Sequence, residues 1–244
     1  MKNILLKLEY DGYNYCGWQK QINEKTIQGT IEEVLRRITN EDIEVIGCSR
    51  TDSGVHAIGY VCNFKTDSNI PGDKFKYILN QKLPNDISVM DSEYVDEGFH
   101  SRYNCKGKTY IYKICNREFR SAIGRNYVFD YKYKLDIDKM KEAAKHFIGE
   151  HDFAAFKNVG SSVKTTVRTI TELSVEKEND IIIFRVTGDG FLYNMVRIIV
   201  GTLLEVGIGK RSPEEIKNII ISKDRRNAGA SVPATGLCLY KVFY

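Results

Sequence analysis

Asp52 lies in Thr51-Asp52-Ser53-Gly54, two residues after Arg50. A carboxylate placed in such a loop can act as nucleophile or general base, and a nearby guanidinium favours its ionised form. The same four residues also make a good turn, with Asp bonding its own backbone and Gly taking positive φ. Turns far outnumber catalytic loops, so this segment alone does not decide the matter. A second unusual charge is Arg197, set within Met195-Val196-Arg197-Ile198-Ile199-Val200. Among aliphatic neighbours a guanidinium either reaches out to water or is buried against a carboxylate. In the second case an acid must come from elsewhere in the chain, and Asp52 is a candidate.

Other chemistry-bearing residues have plainer readings. The single tryptophan, Trp18, follows the first predicted strand and reads as core or as a lid over core. His151-Asp152 looks like a His–Asp pair, but adjacent side chains seldom face each other, so packing and capping are expected. The six cysteines, Cys16, Cys48, Cys62, Cys105, Cys115 and Cys238, contain no C-x2-C or C-x4-C pair, and the four histidines complete no ligand cluster. No metal is expected from these spacings, and free thiols point to a reducing, cytoplasmic setting.

These residues need elements to hold them. Ile4, Leu6, Leu8 and Tyr10 share one face of a strand with period 2. Ile27, Ile31, Val34, Leu35 and Ile38 recur with the helical period, behind Thr26 as N-cap. Strands over 43–48 and 56–64 flank the Asp52 loop, followed by a helix around 73–81 and a strand over 87–95. The second half reads as a strand over 108–115, a helix over 137–148, a hairpin of 167–175 and 181–186, a long helix over 191–206 and a closing strand over 236–243. A short helix starts at Ser212-Pro213-Glu214-Glu215, a capping box with Pro at its first helical position. The expected class is α+β: two ferredoxin-like βαββαβ halves, 1–104 and 105–244, with mainly antiparallel sheets and a cleft between them as a natural ligand site.

Length and composition agree with this. A chain of 244 residues forms one large domain or two of about 100 residues each. With 42% hydrophobic and 28% charged residues, it is neither disordered nor low in complexity. Its N-terminal apolar run is broken at once, unlike a signal peptide, and the apolar stretch 195–208 is too short and too charged to span a bilayer. The net charge of +4 is too small to argue for nucleic acid, but its distribution is uneven. Residues 102–134 carry +7 and six of the fifteen tyrosines, leaving −3 for the remainder. Cations for phosphates and rings for bases are what RNA binding requires, although solvated strands also carry outward Lys and Tyr.

Arg50-Thr51-Asp52-Ser53-Gly54-Val55-His56-Ala57 resembles the catalytic loop of the tRNA pseudouridine synthase A family. Further blocks follow in order: Tyr10-Asp11-Gly12 with Gly17-Trp18-Gln19-Lys20-Gln21, then Phe99-His100-Ser101-Arg102-Tyr103 with Lys108-Thr109-Tyr110. His151-Asp152-Phe153, Gly190-Phe191-Leu192-Tyr193-Asn194-Met195-Val196-Arg197 and Gly236-Leu237 complete the set. Cys48, Ser53 and Ser101 depart from the family's usual small residues while keeping the volume.

The resemblance implies an isomerase converting uridine to pseudouridine in the anticodon stem-loop of tRNA, at positions 38, 39 and 40, as a homodimer without cofactor. It implies Asp52 as nucleophile, Tyr110 as the ring packed on the target base, Arg197 as the partner of the catalytic carboxylate and Arg50 as the residue that holds the flipped nucleotide out. Two other readings compete with it. A non-catalytic RNA-binding protein of ferredoxin-like fold would need no acid in its basic loop. A small-molecule enzyme would leave the +7 segment without a purpose.

Overall fold

The computed structural model describes residues 1–158, 160 and 163–244. The chain divides into two compact units: Met1–Lys106 with Cys238–Tyr244, and Gly107–Leu237. The first runs β1 (Lys2–Tyr10), α1 (Ile27–Thr39), β2 (Ile46–Gly47), β3 (His56–Thr66), α2 (Phe75–Asn80) and β4 (Ile87–Val95). β1 is antiparallel to β3 on one side and to β4 on the other, and β2 is antiparallel to β3. The alternation in β1 does what its period requires, for Ile4, Leu6, Leu8 and Tyr10 are all buried. α1 begins where Thr26 Oγ1 accepts the Gly29 N–H at 3.2 Å, and it ends at Asn40 in the left-handed region. Its apolar face, Ile27, Ile31, Val34 and Leu35, is buried.

In the second unit the order is β5 (Gly107–Cys115), β6 (Phe129–Asp130), α3 (Ile137–Ala144), β7 (Gly149–Asp152), β8 (Val167–Glu178), β9 (Ile181–Gly188), α4 (Met195–Gly207) and α5 (Glu215–Ser222). Its sheet runs β5-β9-β8-β7 with antiparallel neighbours throughout, and β6 lies parallel to β5. α4 is apolar around most of its circumference and correspondingly buried. It starts at Met195, four residues later than periodicity predicts, because Asn194 takes φ 60° and ψ 12° just before it. Half of the expected capping box ahead of α5 is present, with the Ser212 N–H donating to Glu215 Oε2 at 2.6 Å.

The closing strand β10 (Leu237–Phe243) reads in sequence with the second half, yet from Cys238 onward it groups with the first unit. It lies parallel to β3, with Cys238 opposite His56 and Leu239 opposite Ala57. Phe243 O accepts the Lys106 N–H at 2.8 Å, and the Tyr244 hydroxyl donates to Ser101 O at 2.8 Å. The expected α+β class with a mainly antiparallel sheet is borne out. Among the described residues no helix is long and apolar enough to cross a membrane.

Candidate active site

In the first unit the Asp52 loop joins β2 to β3 and is held from beneath by the segment after β1. Thr51 O accepts the Trp18 N–H at 3.0 Å, and Tyr15 O accepts both the Gly54 N–H at 3.3 Å and the Ser53 hydroxyl at 3.2 Å. The buried hydroxyls of Tyr10 and Thr51 are 2.8 Å apart. Within the loop the Val55 N–H returns to Asp52 O at 3.2 Å, and Gly54 has φ 78°. The turn chemistry legible in Thr-Asp-Ser-Gly is therefore real, and it is what presents Asp52, half-buried, at the surface of this unit. Arg50 stands exposed in the same loop.

Two glycines make this close approach possible. A Cβ on Gly17, at φ 85°, would lie 2.5 Å from Thr51 O and 3.1 Å from the Asp52 carbonyl carbon. A Cβ on Gly12 would lie 1.9 Å from Val55 O. Both positions belong to the blocks through which the family resemblance was read, and their spacing to Asp52 has a steric cause.

Beneath the loop is an aromatic cluster. Trp18 stacks on Tyr60 with ring centroids 4.1 Å apart, and Tyr10 packs against Tyr60 at 5.5 Å. The Tyr60 hydroxyl donates to Ser49 O, which fixes the start of the loop. Trp18 is thus a core residue, and its position in the core is what shapes the loop. At the loop's far end His56 Nδ1 lies 3.2 Å from the Gly12 N and 3.0 Å from Asp11 Oδ1. Unprotonated it accepts from Gly12, and protonated it meets the Asp11 carboxylate.

Elsewhere in this unit a buried polar network holds the turn that carries His100 and Arg102. Asn63 Oδ1 accepts both the Ser101 N–H at 2.9 Å and the Ser101 hydroxyl at 2.6 Å. Asn63 Nδ2 donates to Asn3 Oδ1 at 2.9 Å, and Asn3 Nδ2 donates to Asp96 O and Phe99 O. Ser101, one of the departures from the family's usual residue, therefore has a bonded hydroxyl rather than a spare one.

Tyr110 and Arg197 belong to the second unit. Tyr110 is a buried residue of β5, and Phe191 meets it edge-on with centroids 5.1 Å apart. Arg197, in the first turn of α4, donates from Nε to Val232 O at 2.7 Å and from Nη1 to Asn194 Oδ1 at 2.7 Å. It is half-buried, so its stem is covered while two of its donors go to neutral acceptors. Its charge also lies near Tyr112, whose hydroxyl donates to Pro233 O at 2.7 Å and whose ionisation burial pushes far above the ordinary phenol range.

The His151-Asp152 pair is structural, as its adjacency suggested. Asp152 accepts the Ala154 N–H at 3.2 Å and the Thr166 hydroxyl at 2.5 Å, and it pairs with Lys223 at 2.9 Å. The Thr166 hydrogen bond, then Lys223, hold its carboxyl below the usual aspartate range.

The residues that hold the loop were not singled out by sequence reasoning. Thr51 and Tyr60 fix the loop through their hydroxyls and Tyr15 through its carbonyl, and a backbone acceptor leaves no trace in residue type. The one available signal was Tyr10, a phenol on a buried strand face, which must find a hydrogen-bond partner.

The geometry above belongs with a known family. The sequence model described as tRNA pseudouridine synthase matches residues 8–104 and 143–244. The chain is 59% identical over 244 residues to tRNA pseudouridine synthase A of Clostridium acetobutylicum, covering 100% of both chains. It is 58% identical over 244 residues to tRNA pseudouridine synthase A 2 of Clostridium perfringens, again covering 100% of both. Among solved structures it shares 14% identity and a TM-score of 0.37 with a chain of a Cbf5-Nop10-Gar1 complex, over 82% of this chain and 54% of that one. The chain is thus one of the uridine-isomerising enzymes as a class. It belongs to the tRNA pseudouridine synthase family, and the resemblance read from its motifs is borne out.

Proposed function

We propose that this chain isomerises uridine to pseudouridine in the anticodon stem-loop of tRNA, at positions 38, 39 and 40, with Asp52 as the nucleophile. One observation carries the reading. In a member of this family, the only acid of the 49–55 loop is presented half-buried on a turn clamped by Tyr10, Tyr15 and Trp18. The clamp serves to aim this carboxylate.

The reaction breaks the N1–C1′ bond and forms C5–C1′, so the base must detach, turn and reattach. That requires the nucleotide to leave the helical stack, which costs least beside a loop. Asp52 can attack C1′ of the ribose or C6 of the uracil. In either case the proton on C5 leaves and N1 gains one, so the reaction consumes no co-reactant. Arg50 holds the extruded nucleotide, Tyr110 packs on its base, and Arg197 is the counter-charge that offsets desolvation of the carboxylate. Lys106, Lys108 and Lys113 supply phosphate contacts. The enzyme acts in the cytoplasm as a homodimer.

The test is pseudouridine mapping of tRNA lacking anticodon-arm pseudouridines, before and after incubation with the protein. New pseudouridines at positions 38, 39 and 40 are expected. Modification elsewhere, or none, overturns the proposal.

A further inference from the structure

The basic, tyrosine-rich stretch separates into two parts within the second unit. Lys108 and Lys113 lie on β5, whereas residues 116–128 leave the end of β5 and come back as β6, which pairs parallel to it at Ile114–Phe129 and Cys115–Asp130. Parallel neighbours cannot be joined by a tight turn, so the connection is long. Its base is tied. The Ser121 N–H donates to Asp130 Oδ1 at 2.9 Å, and Asn116 Nδ2 donates to the carbonyls of Tyr131 and Tyr133 at 2.8 and 2.9 Å. The Tyr131 N–H donates to Cys115 O at 2.9 Å. This is a compact excursion with closed ends, a form of loop frequently used for function.

Its tip exposes what a purely connecting loop has no need to expose. Ile123 is 98% accessible, Phe119 75% and Tyr127 49%. Arg117 is engaged, reaching Asp180 at 3.6 Å and Phe119 O at 2.9 Å. Arg120, fully in the open, has no hydrogen-bond or ion-pair partner among the described residues, and Arg125 reaches only the Ala122 carbonyl, at 3.3 Å. The loop lies between the two stretches that the family model matches, 8–104 and 143–244.

We infer that the 116–128 loop is an RNA-docking element, in which Arg120 and Arg125 meet backbone phosphates and Phe119 and Tyr127 stack on unpaired bases. Charge selects this occupant over a second copy of the chain. A two-fold contact through the loop would bring together two segments that each carry a net charge of +2 (Arg117, Arg120 and Arg125 against Glu118), whereas phosphates complement that charge. Exposed rings in the same loop as exposed guanidiniums suit unpaired bases next to a charged backbone. The inference rests on the proposed RNA substrate and extends it to a loop of the second unit.

The test compares full-length wild type with Arg120→Glu/Arg125→Glu, Phe119→Ala and the control Lys139→Glu/Lys141→Glu, which reverses two exposed charges on α3. RNA binding is read by fluorescence anisotropy on an unmodified tRNA transcript, on a hairpin with an unpaired loop and on a fully paired duplex, and isomerisation is followed in parallel. The arginine reversal should weaken transcript binding about tenfold and flatten the log Kd against log salt slope by roughly 1.5–2. Phe119→Ala should weaken the hairpin and spare the duplex, and the control should bind as wild type. Equal weakening in the control, or unchanged binding in the arginine variant, overturns the inference. So does a fall in oligomeric mass with RNA affinity retained, which would make the loop a contact between copies. A wild type that binds RNA through the loop but forms no pseudouridine refutes the proposed reaction and leaves the docking element standing.

Discussion

The hydroxyls of Tyr10 and Thr51, 41 residues apart in sequence, meet at 2.8 Å inside the first unit. One belongs to the last residue of β1 and the other to the residue before Asp52, so the sheet sets where the acid loop begins. Tyr10→Phe removes one partner and leaves a buried Thr51 hydroxyl without it. The expected loss is about 1–3 kcal/mol. A urea titration reads the stability, and kcat for isomerisation should fall further than the RNA affinity does. A variant with wild-type kcat would show that the hydrogen bond stabilises without aiming the acid.

Gly17→Ala tests the same support from below. Its Cβ would have to occupy space 2.5 Å from Thr51 O, at a φ of 85° that side chains avoid. The left-handed backbone alone costs about 1–3 kcal/mol, and the clash adds to it. The melting temperature should drop and activity should fall more steeply than folded fraction. Equal activity per folded molecule would mean that the loop tolerates displacement.

Asp52→Asn separates the enzyme from a binding protein. The substitution preserves shape and removes the proposed nucleophile, so tRNA affinity should stay within roughly twofold while the chemical step is lost. Tritium release from tRNA labelled at uridine C5 reads that step. Release retained in the variant would remove Asp52 from the mechanism.

Arg197→Lys keeps the positive charge but cannot reproduce the fork that reaches Val232 O and Asn194 Oδ1 together. A fall in kcat of about tenfold or more, near 1.4 kcal/mol, is expected together with a lower melting temperature. A lysine variant indistinguishable from wild type would reduce Arg197 to a generic cation.

Acid should weaken the second unit partly through Asp152. Thr166 and Lys223 hold this carboxyl below its ordinary value in the folded state. Its contribution is therefore present above the unfolded aspartate pKa near 3.9 and is lost as pH falls through the folded value. Asp152→Asn should flatten stability against pH between about pH 5 and the acid limit. An unchanged acid slope would show that other carboxylates govern it.

Much of this was legible in the sequence, and the misses have a common physical form. β4 runs over 87–95 as its pattern predicts, and Thr26 caps α1 as its position requires. The strand expected over 43–48 shrinks to Ile46–Gly47. Its ladder partners are side chains: Glu32 Oε1 accepts the Val45 N–H at 3.0 Å, and Gln28 Nε2 donates to Val45 O at 3.1 Å. Both come from α1 and are buried, although their types read as solvent-facing. Arg197 shows the same limit, because its acceptor at Val232 is a backbone carbonyl that any residue would supply. The short strands β6 and β7 carry too few residues to display a period.

The pairing of β10 with the start of β3 has a consequence for how the protein is made. His56 and Ala57, just beyond the acid loop, receive their neighbours from Cys238 and Leu239. During synthesis the loop's own segment emerges early, but that edge of β3 has no such neighbour until β10 has emerged. The second unit, continuous in sequence, can fold while the first still waits. A nascent chain still lacking β10 would carry the acid loop on a sheet without that neighbour.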